Sequence, residues 1–177
     1  ETGDGLKDYA VSIKDANGTV LSQQTIRDDE ALEVPKKAGY TFAGWYTDNS
    51  YKKEFDFDTM LKTETVVFAK FIKNPEKPAK LSVSGKIYNQ ITVSWKGSTD
   101  VEGYIIYRAV EKSGKYEKIA TLKNSKVTTY IDKKVSLGNT YFYKMRSYKN
   151  VENIKLYSSY TDIKSGSPIL AKPTNLK

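Results

Sequence analysis

The sequence contains no cysteine and no histidine among its 177 residues. Without cysteine the chain can form no disulfide, thiolate metal site or thiol nucleophile, and without histidine it has no Ser-His-Asp triad and no imidazole-ligated zinc. Carboxylates, lysine, tyrosine and serine are the groups that remain for catalysis. No apolar stretch approaches the roughly 20 residues that a membrane-spanning helix needs, so we expect no membrane insertion.

Charge is distributed unevenly along the chain. Residues 1–74 carry 10 Lys/Arg against 13 Asp/Glu, a net charge of −3, whereas residues 75–177 carry 19 against 8, a net charge of +11. This difference predicts two independent modules, of which only the second attracts anionic partners. A protein, an anionic glycan or a cell-wall polymer is the expected partner, and we expect no nucleic acid, no cofactor and no metal.

Two prolines divide the chain. Pro75 and Pro78 forbid a helix and interrupt any strand ladder around them. We therefore predict a first module at residues 8–74 and a second module at residues 78–168.

The C-terminal residues repeat the start of the second module. Lys172-Pro173 stands 95 residues after Lys77-Pro78, which is about the length of one sandwich domain. We predict that residues 169–177 hold a linker and the start of a further module, so that the chain is a monomeric segment of a tandem array. The alternative is a chance recurrence of Lys-Pro in a lysine-rich chain.

The first module has the pattern of short strands joined by turns. Alternation of apolar and polar residues at 9–14 predicts a strand, Asn17-Gly18 predicts a type I′ hairpin turn, and residues 20–26 return as the second strand. Further predicted elements are one helical turn at 28–32 and strands at 40–46 and 66–71.

An aromatic and glycine-rich motif identifies the family of this module. Gly39-Tyr40-Thr41-Phe42-Ala43-Gly44-Trp45-Tyr46 resembles the Gly-Tyr-x-Phe-x-Gly-Trp-Tyr signature of the internalin B-repeat (Listeria-Bacteroides repeat) family. Residues 55–57 and 67–71 are similar to that family's closing segment, with Phe71 in place of Trp. The resemblance covers residues 8–72 and implies a β-grasp-like fold of bacterial surface proteins without enzyme activity.

The signature residues of the first module have expected structural roles. We expect Tyr40 and Phe42 to face a core that Trp45 closes. Gly44, which lacks a Cβ, permits a bend or close packing between the aromatic residues.

The second module alternates apolar runs with glycine-containing turns, which is typical of an all-β sandwich. The predicted strands, lettered A, B, C, C′, E, F and G, are 81–83, 91–95, 104–108, 116–120, 129–132, 141–148 and 160–163.

Three places in this module resemble the fibronectin type III family. Residues 91–95, which end in Trp95, resemble its strand B motif, and residues 103–108, which contain Tyr104, resemble its strand C motif. Tyr141 stands where the family has its tyrosine-corner residue, although Leu137 replaces the usual proline. The resemblance spans residues 78–168 and implies a seven-stranded β-sandwich, so the whole chain is predicted to be mainly all-β.

Acidic residues offer two candidate sites. Asp56 and Asp58 alternate with phenylalanines, which places both carboxylates on one face of a strand, as paired acid/base chemistry needs. A solvent-facing strand edge has the same pattern, and we favour that interpretation. The three acids at 28–30 are a candidate calcium site, but they lack the alternating ligands and glycine of a known loop. We therefore assign no catalytic and no metal-binding residue.

One row of side chains on predicted strand F is the best candidate for binding. A period of two turns Tyr141, Tyr143 and Met145 towards the core and leaves the other side chains outward. The outward row consists of Phe142, Lys144, Arg146 and Tyr148. The alternative is that the Lys and Arg stems merely cover the sheet.

The leading functional interpretation is a pair of non-catalytic binding and spacer modules from a large Gram-positive bacterial protein. Such an adhesin-like protein is secreted or attached to the cell wall, and the modules project a functional domain from it. The alternative is an accessory, non-catalytic region of a secreted hydrolase that binds glycan or host matrix. Both interpretations place the chain outside the cell.

Overall fold

The computed structural model of the chain describes residues 6–27 and 30–170. The chain forms two compact units, Glu1–Lys73 and Asn74–Lys177. Residues 171–177, which hold most of the predicted start of a further module, lie outside the described residues. In the part of the chain that the model describes, no helix has the length and apolar character needed to cross a bilayer.

Strands make up nearly all of the regular structure, which confirms the all-β class. The first unit contains β1 (Asp8–Lys14), β2 (Val20–Arg27), β3 (Tyr40–Tyr46), α1 (Phe57–Met60) and β4 (Glu64–Lys73). The second unit contains β5 (Ala79–Ile87), β6 (Gln90–Lys96), β7 (Gly103–Ala109), β8 (Glu117–Leu122), β9 (Thr129–Asp132), β10 (Tyr141–Val151), β11 (Ile154–Tyr157) and β12 (Lys164–Gly166).

The first unit is one sheet with strand order β2-β1-β4-β3. Its central pair, β1 and β4, is parallel, and the outer pairs are antiparallel. This mixed order is β-grasp-like, as the resemblance implies. One face of the sheet carries the core, because alternate strand residues point to the same side. The buried core residues are Val11, Ile13, Ile26, Leu32, Val67 and Ala69.

The first hairpin turns differently from the prediction. A type I′ turn needs a positive φ at both central residues, but in the Asn17-Gly18 pair only Gly18 has one, at 81°. The Asp15 carboxylate accepts hydrogen bonds from the backbone N–H groups of Asn17 and Thr19, at 2.9 Å each. Asp15 therefore holds a right-handed turn that Gly18 ends, because glycine adopts the left-handed conformation without steric cost.

A bulge in β3 brings two aromatic side chains of the signature together. The pairing with β4 shifts register between Phe42 and Gly44, and Gly44 has a φ of 131°. Without the extra residue, Trp45 would point away from Phe42, because they are three positions apart on a strand. With it, their ring centroids lie 4.7 Å apart against the core.

Two expectations for the first unit are wrong. Tyr40 is 38% exposed, because it is the first residue of edge strand β3 and lies opposite Lys73, the last residue of β4. The described part of the predicted helical turn, residues 30–32, has no helical structure. Its Glu30 carboxylate instead accepts a hydrogen bond from the Arg27 N–H at 3.1 Å.

The second unit is a sandwich of two sheets. One has the order β5-β6-β9, and the other has the order β11-β10-β7-β8, with β12 also paired to β10. This arrangement confirms the fibronectin type III-like fold, with the last of the seven strand positions divided between β11 and β12. The prediction of strand G at 160–163 is wrong, since residues 158–163 have no strand structure.

The core of the second unit contains the three signature aromatics. Trp95 is 5% exposed and packs edge-on against the fully buried ring of Tyr104, with centroids 5.3 Å apart. The Tyr141 hydroxyl accepts a hydrogen bond from the Ser136 N–H at 2.9 Å. That contact has the form of a tyrosine corner, and it forms although Leu137 occupies the usual proline position.

A buried polar cluster links the two sheets of the sandwich. Asp132 of β9 is 2% exposed, and its Oδ2 atom lies 2.7 Å from Arg108 Nη1 of β7. The Tyr143 hydroxyl of β10 donates to the same oxygen at 3.0 Å, and the Lys134 N–H donates to Asp132 Oδ1 at 3.0 Å. Burial first, and then the neighbouring Asp132 carboxylate, raise the pKa of Tyr143 far above its usual range.

Candidate functional site

Four tyrosines surround two cations on the outer side of the larger sheet. We call this surface the tyrosine face and define it by Tyr107, Tyr116, Lys144, Arg146, Tyr157 and Tyr160. Both cations project from β10, where the intervening residue, Met145, points into the core and is fully buried. The face is therefore the solvent side of the strand that forms the centre of the sandwich sheet.

Lys144 lies between two of the rings. Its Nζ atom is 4.3 Å from the ring centroid of Tyr116 and 4.3 Å from that of Tyr160. Both distances are within the range of a cation–π contact. The two rings therefore restrain the flexible lysine side chain at one position above the sheet.

Arg146 is held by the other rings. Its guanidinium carbon is 3.9 Å from the centroid of Tyr157 and 5.1 Å from that of Tyr160. Arg146 Nη2 donates a hydrogen bond to the Tyr107 hydroxyl at 3.0 Å. Arg146 Nε is buried and has no hydrogen-bond partner among the described residues. Tyr107 and Tyr160 also meet edge to face, with centroids 5.4 Å apart.

Side-chain hydroxyls hold the irregular segment that follows Tyr157 and presents Tyr160. The Ser147 N–H donates to Ser158 Oγ at 3.0 Å, and the Met145 N–H donates to Thr161 Oγ1 at 3.1 Å. The backbone N–H groups of Ser158 and Thr161 donate in return to carbonyls of β10. The segment therefore stays attached to β10 without forming a strand, and Tyr160 lies over the face instead of following a strand's alternation.

The tyrosine face is rich in hydrogen-bond donors and poor in acceptors. No carboxylate within residues 6–27 and 30–170 forms an ion pair with Lys144 or Arg146. The Tyr107 oxygen already accepts from Arg146, so its own proton is free to be donated outward. The Tyr116 hydroxyl donates to the Lys112 carbonyl at 3.1 Å.

Only two residues of the predicted outward row on strand F belong to the tyrosine face. Lys144 and Arg146 lie at its centre, whereas Phe142 lies nearer the start of β10, opposite Ala109 and Ser165. The expectation that Tyr148 presents its ring to solvent is wrong, because this residue is 4% exposed.

Two neighbours cover Tyr148. Its Cε1 atom would lie 3.1 Å from a Cβ on Gly103, so the ring packs where that residue has no side chain. The Lys155 Nζ atom covers the ring from outside, 4.5 Å from its centroid. Tyr148 therefore supports the sheet and offers no open ring to a ligand.

The candidate acidic sites have other roles in the structure. Asp56 is the N-cap of α1, and its carboxylate accepts from the Asp58 N–H at 3.0 Å and the Thr59 hydroxyl at 2.8 Å. The Thr59 hydrogen bond is the main cause that lowers the pKa of Asp56. The expectation of a strand edge at Asp56 and Asp58 is therefore wrong. Asp28 and Asp29 lie outside the described residues.

An aromatic depression with a volume of about 400 Å³ lies in the first unit. It lies beside Tyr40, Phe42 and Phe71, and the Lys37 Nζ atom is 4.5 Å from the Tyr40 centroid and 5.6 Å from that of Phe71. It has fewer aromatic rings than the tyrosine face, and Lys37 is the cation that lies over two of them.

Sequence reasoning missed all four tyrosines of the face. For Tyr107 a signal existed in the sequence. Tyr104 and Ile106 of the same predicted strand face the core, so the next residue, Tyr107, is expected to face outward. Its position opposite Lys144 depends on the pairing of β7 with β10. Tyr160 gave no signal, because it lies in the segment that leaves the strand pattern.

Comparison with known families identifies the first unit. Residues 9–70 match the family model described as the Listeria-Bacteroides repeat domain. This match confirms the resemblance that the motif at residues 39–46 indicates. The first unit is therefore similar to one such repeat over residues 9–70.

Part of the chain is related to an enzyme. An amylopullulanase of Thermoanaerobacter thermohydrosulfuricus is 36% identical over 87 residues, which make up 48% of this chain and 6% of the relative. The chain therefore spans only a small part of that protein's length.

Two solved structures are also similar. An Fn3-like protein from Clostridium thermocellum is 24% identical, with 50% of this chain and 90% of that chain covered and a TM-score of 0.42. A β-1,2-glucanase from Parabacteroides distasonis is 18% identical, with 60% and 16% covered and a TM-score of 0.47. The sandwich fold of the second unit follows from its own strand order.

Proposed function

We propose that the chain is a non-catalytic accessory segment of an extracellular glycoside hydrolase, and that its tyrosine face holds polysaccharide. The observation that carries this proposal is the tyrosine face itself, in which four rings and two cations share one sheet surface. The tyrosine rings hold the two cations above the sheet and their hydroxyls add polar groups, which suits contact with the polar groups of sugars.

The geometry favours a polymer as the ligand. The face lies on the open side of a sheet, and its side chains come from β7, β10, β11, the segment before β8 and the segment after β11. Such a surface meets several sugar units of a chain at once, whereas small molecules are usually bound in concave pockets. Weak contacts at each unit add up when several modules bind one polymer.

The relationship to an amylopullulanase supports the hydrolase context. The matched stretch of 87 residues is longer than the first unit, Glu1–Lys73, so it includes part of the second unit. An accessory segment of this kind keeps an enzyme near its substrate and takes no part in the chemical step. We place it outside the cell on the same grounds.

A surface-protein role is a second proposal, which the repeat in the first unit favours. In that role the two units project a distal adhesive domain, and any partner is a protein or a cell-wall polymer. The domain that lies next to these units in the full-length protein discriminates the two proposals. A catalytic domain favours the first, and an adhesive domain favours the second.

Affinity electrophoresis of the intact chain through gels containing polysaccharide tests the main proposal. We expect at least one polysaccharide to retard the chain, and we expect Tyr157→Ala with Tyr160→Ala to abolish the retardation. Tyr88→Ala is the matched control, because Tyr88 is 47% exposed and lies at the β5–β6 turn. Retardation that survives loss of both face tyrosines, or no retardation by any polysaccharide, would contradict the proposal.

A further inference from the structure

We infer that the polysaccharide held by the tyrosine face is anionic, and that Lys144 and Arg146 bind its carboxylate or phosphate groups. This inference rests on the proposed function and names the chemical class of its ligand.

Coverage of the rings argues against a neutral sugar. Each of the four rings of the face has a cation within 6 Å of its centroid. Lys144 and Arg146 lie 4.3 and 5.1 Å from the Tyr160 centroid, so a sugar that stacked on a face they cover would have to displace a cation. The rings therefore act mainly as supports for the cations.

The available hydrogen-bonding groups favour an anion. Lys144 has three N–H donors, and in the described structure it has only rings as its contacts. Arg146 uses one Nη2 donor on Tyr107 and its Nε atom is buried, so the remaining Nη protons are the donors left for a carboxylate or phosphate group. The Tyr107 O–H adds one further donor beside them. Ionised carboxylate and phosphate groups accept hydrogen bonds without donating any, and their bonds to cations are stronger than those of neutral hydroxyls, so they suit this surface better than sugar hydroxyls do.

The positions of the cations lower the cost of binding. Free lysine and arginine side chains lose rotational freedom when they bind a ligand. Here Lys144 is held between Tyr116 and Tyr160, and Arg146 is held by a hydrogen bond and by Tyr157. Both charges are therefore already restrained before the ligand arrives.

The charge of the second unit acts in the same direction. Residues 75–177 carry 19 basic and 8 acidic side chains. Lys155 lies beside the face, with its Nζ atom 5.9 Å from the Tyr157 centroid. An excess of one sign over a surface attracts polymers of the opposite sign and raises their rate of association.

The test compares four polymers in affinity gels with the intact chain. Polygalacturonate supplies carboxylates, a phosphomannan supplies phosphates, pullulan is neutral, and single-stranded DNA is an anion that is not a glycan. We expect retention by one or both anionic glycans, and an apparent Kd that rises about tenfold or more between about 50 and about 500 mM salt. The two anionic arms show which group is bound.

Substitutions assign the effect to the face. Lys144→Gln with Arg146→Gln should raise the Kd about tenfold or more, because two charge-assisted contacts are lost. Lys123→Gln with Lys126→Gln makes the same change in net charge on exposed residues of the β8–β9 connection and should change the Kd by less than about twofold. Circular dichroism confirms that each variant is folded, and the salt titration of the unaltered chain needs no variant.

Each other outcome overturns the inference in a recognisable way. Retention by pullulan that is independent of salt and of Lys144 and Arg146 would refute the anionic ligand and leave the proposed function standing. Retention by single-stranded DNA as strong as by the glycans would replace the inference with general attraction of anions. Retention by none of the glycans would contradict both the inference and the proposed function.

Discussion

The two units use their aromatic side chains differently, because the second unit divides them between its core and an outer sheet face. In the first unit, which has a single sheet, aromatic rings fill the space over one face of that sheet, and Phe42, Trp45, Phe55, Phe57 and Phe71 all pack against the core. In the second unit, a second sheet covers the core, and much of it consists of Ile, Val, Leu and Met side chains. Four tyrosines of the second unit are then left for its surface.

This difference indicates that the number of packed sheets affects whether aromatic side chains are needed for the core or remain at the surface. A sheet without a second layer needs large side chains to bury its own apolar face. A sandwich buries its inner faces against each other, so its outer face is available for ligands. We expect the first unit to respond mainly to changes in packing and the second to have both a stability core and a separate binding surface.

Removal of Trp95 should cause the largest difference in stability between the two units. Trp95→Ala takes a 5% exposed ring from the core of the second unit and should lower its free energy of unfolding by about 3–5 kcal/mol. The chain has two tryptophans, so Trp45 then reports the first unit alone by fluorescence during urea unfolding. Trp45→Phe gives the reverse reporter. A shift of the Trp45 transition in Trp95→Ala would show that the units do not unfold independently.

Loss of the buried carboxylate should come next. Asp132→Asn leaves Arg108, which lies between the sheets, without its counter-charge and should lower the stability of the second unit by about 3 kcal/mol. Asp162→Asn is the control, because that carboxyl is 92% exposed and 4.0 Å from Lys77 Nζ, and its removal should change stability by less than about 0.5 kcal/mol. Similar urea midpoints for the two variants would contradict the role of the buried cluster.

The glycine of the β3 bulge gives a matching test of the first unit. Gly44 has a φ of 131°, and a Cβ there would lie 3.3 Å from Tyr46 Cε2, so Gly44→Ala should cost the first unit about 1–3 kcal/mol. Gly138→Ala in the second unit has a φ of 79° and open space around its Cβ, and should cost about 1 kcal/mol. The fluorescence of Trp45 measures the unfolding of the first unit, and that of Trp95 measures the unfolding of the second. If Gly44→Ala left the stability of the first unit unchanged, the bulge in β3 would not require glycine.

Alkaline pH should lower the stability of the second unit more than that of the first. The loss for each pH unit is smaller than the losses expected from the substitutions of Trp95 and Asp132. The pKa of Tyr143 is raised in the folded state above the usual value of about 10, so its stabilising effect is complete below pH 10 and is lost as the pH rises further. The second unit should lose about 1.4 kcal/mol per pH unit above that point from this group.

The first unit and a variant provide the controls for this pH dependence. The pKa of Tyr51 in the first unit is raised too, by burial above all, but its ring is only half-buried, so the slope there should be shallower. Tyr143→Phe should flatten the slope of the second unit. Parallel slopes for the two units, or an unchanged slope in Tyr143→Phe, would argue against the burial of this hydroxyl as the cause.

Much of the fold could be predicted from local patterns. Alternation located β1, β6 and β10, because one face of each strand is more deeply buried than the other. The same alternation placed Lys144 and Arg146 on the outer face of β10. These features depend on neighbours within one strand, and so they are visible in the sequence.

The remaining features depend on groups that are distant in the chain or on backbone geometry. Tyr107 reaches Arg146 only through the pairing of β7 with β10, and Tyr160 reaches Lys144 only because Ser158 and Thr161 replace strand pairing with hydroxyl contacts. The capping role of Asp56 was readable in principle. An Asp followed three residues later by Thr is a side-chain pattern of helix starts, but the flanking phenylalanines favoured a strand.

The most direct test of polysaccharide binding at the tyrosine face is a titration of the isotope-labelled chain followed by amide chemical shifts. Oligosaccharides of polygalacturonate and of pullulan serve as the two ligands. The account predicts that the largest shifts occur in β7, β10 and residues 157–161 and that the first unit is unaffected. Largest shifts in the first unit, or the absence of shifts with both ligands at saturating concentrations, would contradict it.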